Sequence, residues 1–73
     1  NHASYPSGHA TQAYFIANYL SNLNPKRKRE YFAIAYKIST NREIAGVHYK
    51  SDTIFGKYIA KKLFLQLKKD GII

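Results

Sequence analysis

The stretch PSGHATQAYFIANYLSNL, residues 6–23, decides the fold. It opens with a turn and continues as a helix, because its apolar residues recur at intervals of three and four positions, the spacing of one buried helix face. Ser7 is the predicted N-cap, since its hydroxyl can accept hydrogen bonds from the backbone amides of the first turn. Asn24-Pro25 is predicted to end the helix. The buried face comprises Ala10, Ala13, Tyr14, Ala17 and Leu20.

Two more helices follow, and no segment alternates in the manner of a strand. The second is predicted over about residues 30–41, and the third begins after an N-cap at Ser51 and ends near Asp70-Gly71. Asp52 falls in the first turn of the third helix, where a negative charge suits the helix dipole. The predicted fold is therefore all-α. Its expected buried faces are Tyr31, Ile34, Ala35 and Ile38, continued by Arg42, in the second helix, and Phe55, Ile59, Leu63 and Leu67 in the third.

Charge is distributed unevenly along the 73 residues. Twelve Lys and Arg against four Asp and Glu give a net charge of +8, and residues 1–24 contain none of these side chains. A protein of this charge attracts phosphate-bearing partners. The simplest interpretation of the basic run at 26–29, in a loop, and of the lysines of the third helix is nevertheless solvated surface. Polar residues interrupt the apolar stretch 10–23, so no membrane span is predicted. The absence of cysteine excludes disulfides and thiolate metal sites.

Pro6-Ser7-Gly8-His9 is the first feature with possible chemistry. Taken alone, it is most simply a turn and a helix cap. Its functional interpretation is an anion site, because unpaired amides and the helix dipole at a helix start both attract phosphate. Gly8 would let the backbone approach the anion, and His9 would stand beside it.

Arg42, His48 and Asp52 form the second feature. A carboxylate four residues after a histidine can accept from one ring nitrogen and leave the other as a nucleophile or base. The guanidinium of Arg42 can donate hydrogen bonds to two phosphate oxygens at once. An ion pair beside a partly buried polar histidine explains the same spacing equally well. The histidines and Asp52 lack the spacing of a metal-binding motif, so no metal is predicted.

Together these residues resemble the superfamily of type 2 phosphatidic acid phosphatases, bacterial class A acid phosphatases and vanadium haloperoxidases. That family has three blocks: Lys-x6-Arg-Pro, Pro-Ser-Gly-His and Ser-Arg-x5-His-x3-Asp. The second block is intact at residues 6–9, and the third matches at Arg42, His48 and Asp52. The resemblance covers about residues 3–65 and is strongest to the class A non-specific acid phosphatases, which implies a larger helical phosphatase fold of which this chain is a three-helix, C-terminal portion.

The resemblance implies hydrolysis of phosphomonoesters through a phosphohistidine. His48 would be the nucleophile, Asp52 would orient it, and His9 would act as general acid and then general base. These parts suffice in principle, because phosphoryl transfer needs alignment, a nucleophile, an acid and donors for the developing charge. No cofactor is implied, and vanadate is expected to inhibit.

Phosphate binding is implied for Ser7, Gly8 and Arg42. Asn41 replaces the family's serine, and its amide can still donate a hydrogen bond. The first block is missing, because only five residues precede Pro6. We therefore expect residues 1–73 to be a single unit, the C-terminal part of a phosphatase domain. Three explanations stay open: an N-terminal segment supplies the family's Lys and Arg, another chain supplies them, or the chain is inactive.

Two alternatives of different class remain. A vanadate-dependent haloperoxidase would use vanadate as its cofactor at the same anion site. A non-catalytic basic module would bind nucleic acid or anionic surfaces, although nothing in the sequence indicates a specific nucleic acid. The resemblance to class A enzymes implies a periplasmic or secreted location.

Overall fold

Three α-helices form the part of the chain that the structure describes. This computed structural model describes residues 8–44 and 50–73, with the backbone alone at 42–44. Helix α1 spans Gly8–Leu23, α2 spans Lys28–Ile44 and α3 spans Lys50–Lys69, and a 3₁₀ turn at Pro25–Arg27 precedes α2. The described ranges contain no strand. The all-α, three-helix prediction is confirmed.

The break between α1 and α2 lies at Asn24-Pro25, as predicted. The amide of Asn24 donates to the Leu20 carbonyl at 2.8 Å, and the Lys28 amide then bonds to Pro25 across the 3₁₀ turn. Because that turn runs directly into α2, the helix starts at Lys28, about two residues before its predicted start. The basic run at 26–29 is therefore divided between the turn and the first residues of α2, and it is not a loop.

Helix α1 is the central helix, and it packs on both α2 and α3. Its predicted stripe is confirmed at four positions, while Leu20 is half-buried. Most of the core consists of alanine, so the backbones approach closely. The buried cluster comprises Ala10, Ala13, Tyr14, Ala17, Ala35 and Ala60.

The predicted faces of the outer helices are partly wrong. In α2, Ala35 is buried, but Ile34 and Ile38 are exposed; Ser39 takes the next buried position, and its hydroxyl donates to the Ala35 carbonyl at 2.6 Å. The reason is that Ala35 and Ser39 are small, so this side of α2 can lie close to α1.

The buried face of α3 differs by one residue from the predicted one. Phe55 and Leu63 are exposed and Ile59 and Leu67 only half-buried, while the residues that face the core are Asp52, Gly56, Ala60 and Phe64. One residue corresponds to a rotation of about 100° about the helix axis. Gly56 and Ala60 allow α3 to approach α1, and Phe64 then reaches Phe15, with the ring centroids 6.3 Å apart.

Helix α3 ends where the sequence predicted. Gly71 has φ 77°, its amide bonds to the Lys68 carbonyl at 3.1 Å, and the Ile72 amide bonds to the Leu67 carbonyl at 2.9 Å. These two bonds define a Schellman cap, in which glycine adopts the left-handed conformation. The start differs from the prediction, because α3 begins at Lys50 and Ser51 lies inside its first turn.

Candidate functional site

Three helix ends meet at one end of the molecule. The short connection makes α1 and α2 antiparallel, so the end of α2 lies beside the start of α1. The ammonium of Lys68 bonds to Asn22 Oδ1 at 2.8 Å, which places the last turns of α1 and α3 together and makes these two helices parallel. The starts of α1 and α3 and the end of α2 therefore share one end, which we call the motif end.

The start of α1 brings Gly8 and His9 to the motif end. Gly8 is the first residue of the helix, and a Cβ placed on it would meet no atom of residues 8–44 or 50–73 within 4 Å. His9 follows it and is exposed. The beginning of α1 is thus unobstructed by the described residues, and its dipole favours a negative charge there. Ser7, the predicted cap, lies outside the described residues.

The end of α2 brings Asn41 and Arg42 to the same place. Asn41 is exposed and lies in the last turns of α2. Arg42 belongs to the helix by its backbone, and the structure does not describe its side chain. A helix C-terminus carries a partial negative charge, which stabilises cations in its last turn. Arg42 is therefore placed favourably, while its contact with an anion stays a prediction.

Asp52 is the most deeply buried charged residue of the described chain. It lies in the first turn of α3, is 2% exposed and is engaged in an interaction. Burying a carboxylate is costly unless it is paired or hydrogen-bonded. Its position at a helix start offsets part of that cost through the dipole. The burial of this one acidic group indicates a specific role, either in holding the start of α3 or in orienting a neighbour.

His48 lies outside the described residues, as does its predicted pairing with Asp52. The structure thus places Gly8, His9, Asn41 and Asp52, together with the backbone of Arg42, at the motif end. Whether the two imidazoles meet is still a prediction. In the ranges 8–44 and 50–73, no three His, Cys, Asp or Glu side chains are grouped so as to hold a metal ion.

A cavity of about 230 Å³ adjoins the motif end, and its residues were absent from the sequence-based site. Thr40 directly precedes Asn41, Thr53 directly follows Asp52, and Lys50 lies two residues before Asp52. Lys57 lies farther along, with its ammonium 5.2 Å from the Tyr14 ring centroid. Lys50 could have been included in the site from the sequence, because it lies close to Asp52 along the chain. The placement of Lys57 over a ring of α1 depends on helix packing, which the sequence does not reveal. The full lining is Tyr14, Tyr36, Thr40, Lys50, Thr53, Ile54 and Lys57.

Comparisons with known proteins identify the same family as the residues at the motif end. The family model of the PAP2 superfamily matches residues 1–65, and the chain therefore belongs to the PAP2 superfamily. The non-specific acid phosphatases of Salmonella typhi and Salmonella typhimurium are each 34% identical over 65 residues. The resemblance to the acid phosphatase branch is thus confirmed.

The match covers 89% of this chain and 26% of each relative, so the chain spans about a quarter of the length of those phosphatases. No solved structure matches the chain significantly. Among the described residues, no helix is both long and apolar enough to cross a membrane.

Proposed function

We propose that this chain carries the nucleophile and the general acid of an acid phosphatase that hydrolyses phosphomonoesters. The observation that carries the proposal is the convergence of three helix ends, which holds the described residues of both matching blocks at the motif end. Membership of the PAP2 superfamily and similarity to two acid phosphatases support it independently.

The first half of the reaction transfers the phosphoryl group to the protein. A ring nitrogen of His48 attacks phosphorus, the ester P–O bond breaks, and the departing oxygen takes a proton from His9. Asp52 accepts a hydrogen bond from the other ring nitrogen of His48 and stabilises the positive charge that develops there. The burial of Asp52 suits this role, because a charge pair is stronger where water is excluded.

The second half restores the protein. His9, now neutral, takes a proton from a water molecule as that water attacks phosphorus, and the P–N bond to His48 breaks. Inorganic phosphate leaves. The rate should fall at both pH extremes, since the first half needs one imidazole neutral and the other protonated.

Donors at the motif end bind the non-bridging oxygens of the phosphate. The Gly8 amide and the Ser7 hydroxyl serve the side at the start of α1, and Arg42 and Asn41 serve the side at the end of α2. Donors fixed before the reaction stabilise the developing charge without reorganisation. The exposed ammonium of Lys50 adds positive charge near the same end.

The Lys and Arg of the family's first block do not occur before Pro6 in residues 1–73. They would come from further polypeptide, either in the same chain or in another one. We propose that the complete enzyme acts in the periplasm or outside the cell, which is the location implied by its resemblance to the class A acid phosphatases. It needs no cofactor, and vanadate should inhibit because it mimics five-coordinate phosphorus.

Release of p-nitrophenol from p-nitrophenyl phosphate tests the proposal, with His48→Ala compared with the matched control His2→Ala. We expect His48→Ala to abolish hydrolysis and His2→Ala to leave it unchanged. Should the 73 residues turn over too slowly to measure, ⁵¹V NMR of bound orthovanadate makes the same comparison. Equal behaviour of the two variants in both assays would refute the mechanism. Peroxide-dependent halide oxidation that requires vanadate would instead identify a haloperoxidase.

A further inference from the structure

Ser39 lies buried in α2, two residues before Asn41 and three before Arg42. It is 1% exposed, whereas Asn41 is exposed. A buried hydroxyl is costly unless it forms a hydrogen bond. The hydroxyl of Ser39 donates to the Ala35 carbonyl at 2.6 Å, within the same helix. Its hydrogen is thus bonded inside α2, and what matters to a neighbouring helix is the small size of the side chain.

Ser39 lies opposite the first turns of α1. One turn earlier in α2, Ala35 belongs to the same buried cluster as Ala13, and both line a cavity of about 100 Å³ between the two helices. Because α1 and α2 are antiparallel, each turn toward the end of α2 is a turn toward the start of α1. The step that leads from Ala35 to Ser39 therefore reaches the level of Ala10. Ala10 is fully buried and directly follows His9.

The distance between α1 and α2 at this level depends on small side chains. Packed helices have interaxial distances of about 8–10 Å, set by the side chains at the contact. Alanine on α1 and serine on α2 favour the short end of that range. Because a close-packed interior has no room for added volume, a larger side chain at position 39 should move the last turns of α2 away from α1 by about 1–2 Å.

Such a displacement would be carried to the end of α2. The helix continues without interruption to Ile44, and Asn41 and Arg42 follow Ser39 within one turn, at a rise of about 1.5 Å per residue. Gly8 and His9, at the start of α1, would not move with them. The two sides of the motif end would then be farther apart. A misplacement of about 1 Å at a reacting centre can reduce the rate about a hundredfold.

We propose that Ser39 is a positioning residue of the candidate site. Its small side chain sets the separation between the donors at the end of α2 and the start of α1, and it acts through Asn41 and Arg42 without touching the substrate. The inference rests on the proposed function. Because Ser39 is already buried by residues of this chain, its position does not depend on what covers the outer surfaces of the helices.

Spin labels measure the separation of the two helices directly. The chain contains no cysteine, so Gln12→Cys on α1 and Lys37→Cys on α2, both at exposed positions, can be labelled specifically. Double electron–electron resonance then gives the distance between the labels. We expect Ser39→Leu to lengthen it by about 1–2 Å and Ser39→Ala to leave it unchanged. An unchanged distance in Ser39→Leu would overturn the inference, whatever the chemistry of the site.

Titration of the 73-residue chain with orthovanadate, followed by ⁵¹V NMR, tests the consequence for the site. We expect Ser39→Leu to raise the dissociation constant between about tenfold and a hundredfold. Ser39→Ala should keep it within about twofold, because a substitution that adds no volume disturbs packing least. The rescue by alanine separates the size of the side chain from its hydrogen bond.

Ser21→Leu is the matched control. Ser21 is also a buried serine, 8% exposed, and lies twelve residues after His9 in α1, or about 18 Å along the helix. The same added volume should therefore lower stability without changing the dissociation constant for orthovanadate. Urea titration compares the stability of the two variants. If Ser39→Leu lowers the helical circular dichroism signal, Ser39→Val and Ser21→Val make the comparison with less added volume.

The outcomes separate this inference from the proposed function. Orthovanadate binding that is lost in His48→Ala but equally tight in Ser39→Leu and Ser21→Leu would overturn the role of Ser39 alone. Binding that responds to neither His48→Ala nor Ser39→Leu would overturn the proposed function and, with it, this inference.

Discussion

Replacing Phe64 with alanine should remove a large part of the stability of this chain. The side chain is 6% exposed, and its ring meets Phe15 edge-on, at an interplanar angle of 71°. Deleting a buried phenylalanine costs about 3–5 kcal/mol. A chain of 73 residues is expected to have only about 4–11 kcal/mol in total. The variant should therefore unfold at a much lower urea concentration than the unchanged chain.

Leu63 provides the matched control, because it is the neighbouring residue and is 47% exposed. Leu63→Ala should cost about 1 kcal/mol or less, since only part of the side chain leaves water on folding. Urea titration followed by circular dichroism at 222 nm compares the two free energies of unfolding. The apolar pattern of the sequence alone predicts the opposite order, with Leu63 buried. A larger loss for Leu63→Ala than for Phe64→Ala would refute the orientation of α3 described above.

Gly71→Ala should lower the free energy of unfolding by about 1 kcal/mol, because φ 77° strains any residue with a Cβ. Gly8→Ala should not destabilise, because a Cβ there would meet no atom of the described residues within 4 Å. Similar losses in urea titrations would contradict the cap. The pH dependence of phosphomonoester hydrolysis should be bell-shaped, since one imidazole must be neutral and the other protonated; a flat profile across the range in which histidine titrates would exclude a two-histidine mechanism. Asp52→Asn should reduce kcat with little change in KM, because in the proposed mechanism the carboxylate orients the nucleophile and does not touch the substrate. A change confined to KM in steady-state kinetics would argue against that role.

Much of the fold could be predicted from the sequence. The break at Asn24-Pro25 and the glycine cap of α3 each depend on a local signal, and each lies where it was expected. The stripe of α1 was also predicted correctly at four of its five positions, although Ile16, Tyr19 and Leu23 are apolar and exposed on its other side.

The orientation of α3 could not be predicted in the same way. Large apolar residues occur on several sides of this helix, so their period does not select one face. The core instead uses Gly56 and Ala60, whose value is that they allow α1 to come close. Small residues contribute little to the hydrophobic pattern of a sequence. Their advantage at this face is that they let α1 approach closely, and this depends on the neighbouring helix and not on the sequence of α3 alone.

The sequence named the members of the candidate site, whose roles stay predictions, but it did not give the arrangement of the helices that carry them. The matching blocks identified the residues, and the antiparallel and parallel arrangement of the helices explains why Gly8, Asn41 and Asp52 share one end. Lys28 and Lys61 were interpreted as solvated surface, because nothing in the sequence places Lys28 of α2 opposite Lys61 of α3. That relation arises from the packing of both helices on α1.

The most direct measurement of the central claim is ¹⁵N NMR of the histidine side chains during titration with orthovanadate. The chain has three histidines, and His2 serves as an internal reference. If His9 and His48 share one oxyanion site, their ring resonances should shift together with a single dissociation constant while those of His2 stay unchanged. Shifts of His9 and His48 with different dissociation constants, or of only one of them, would contradict the shared site.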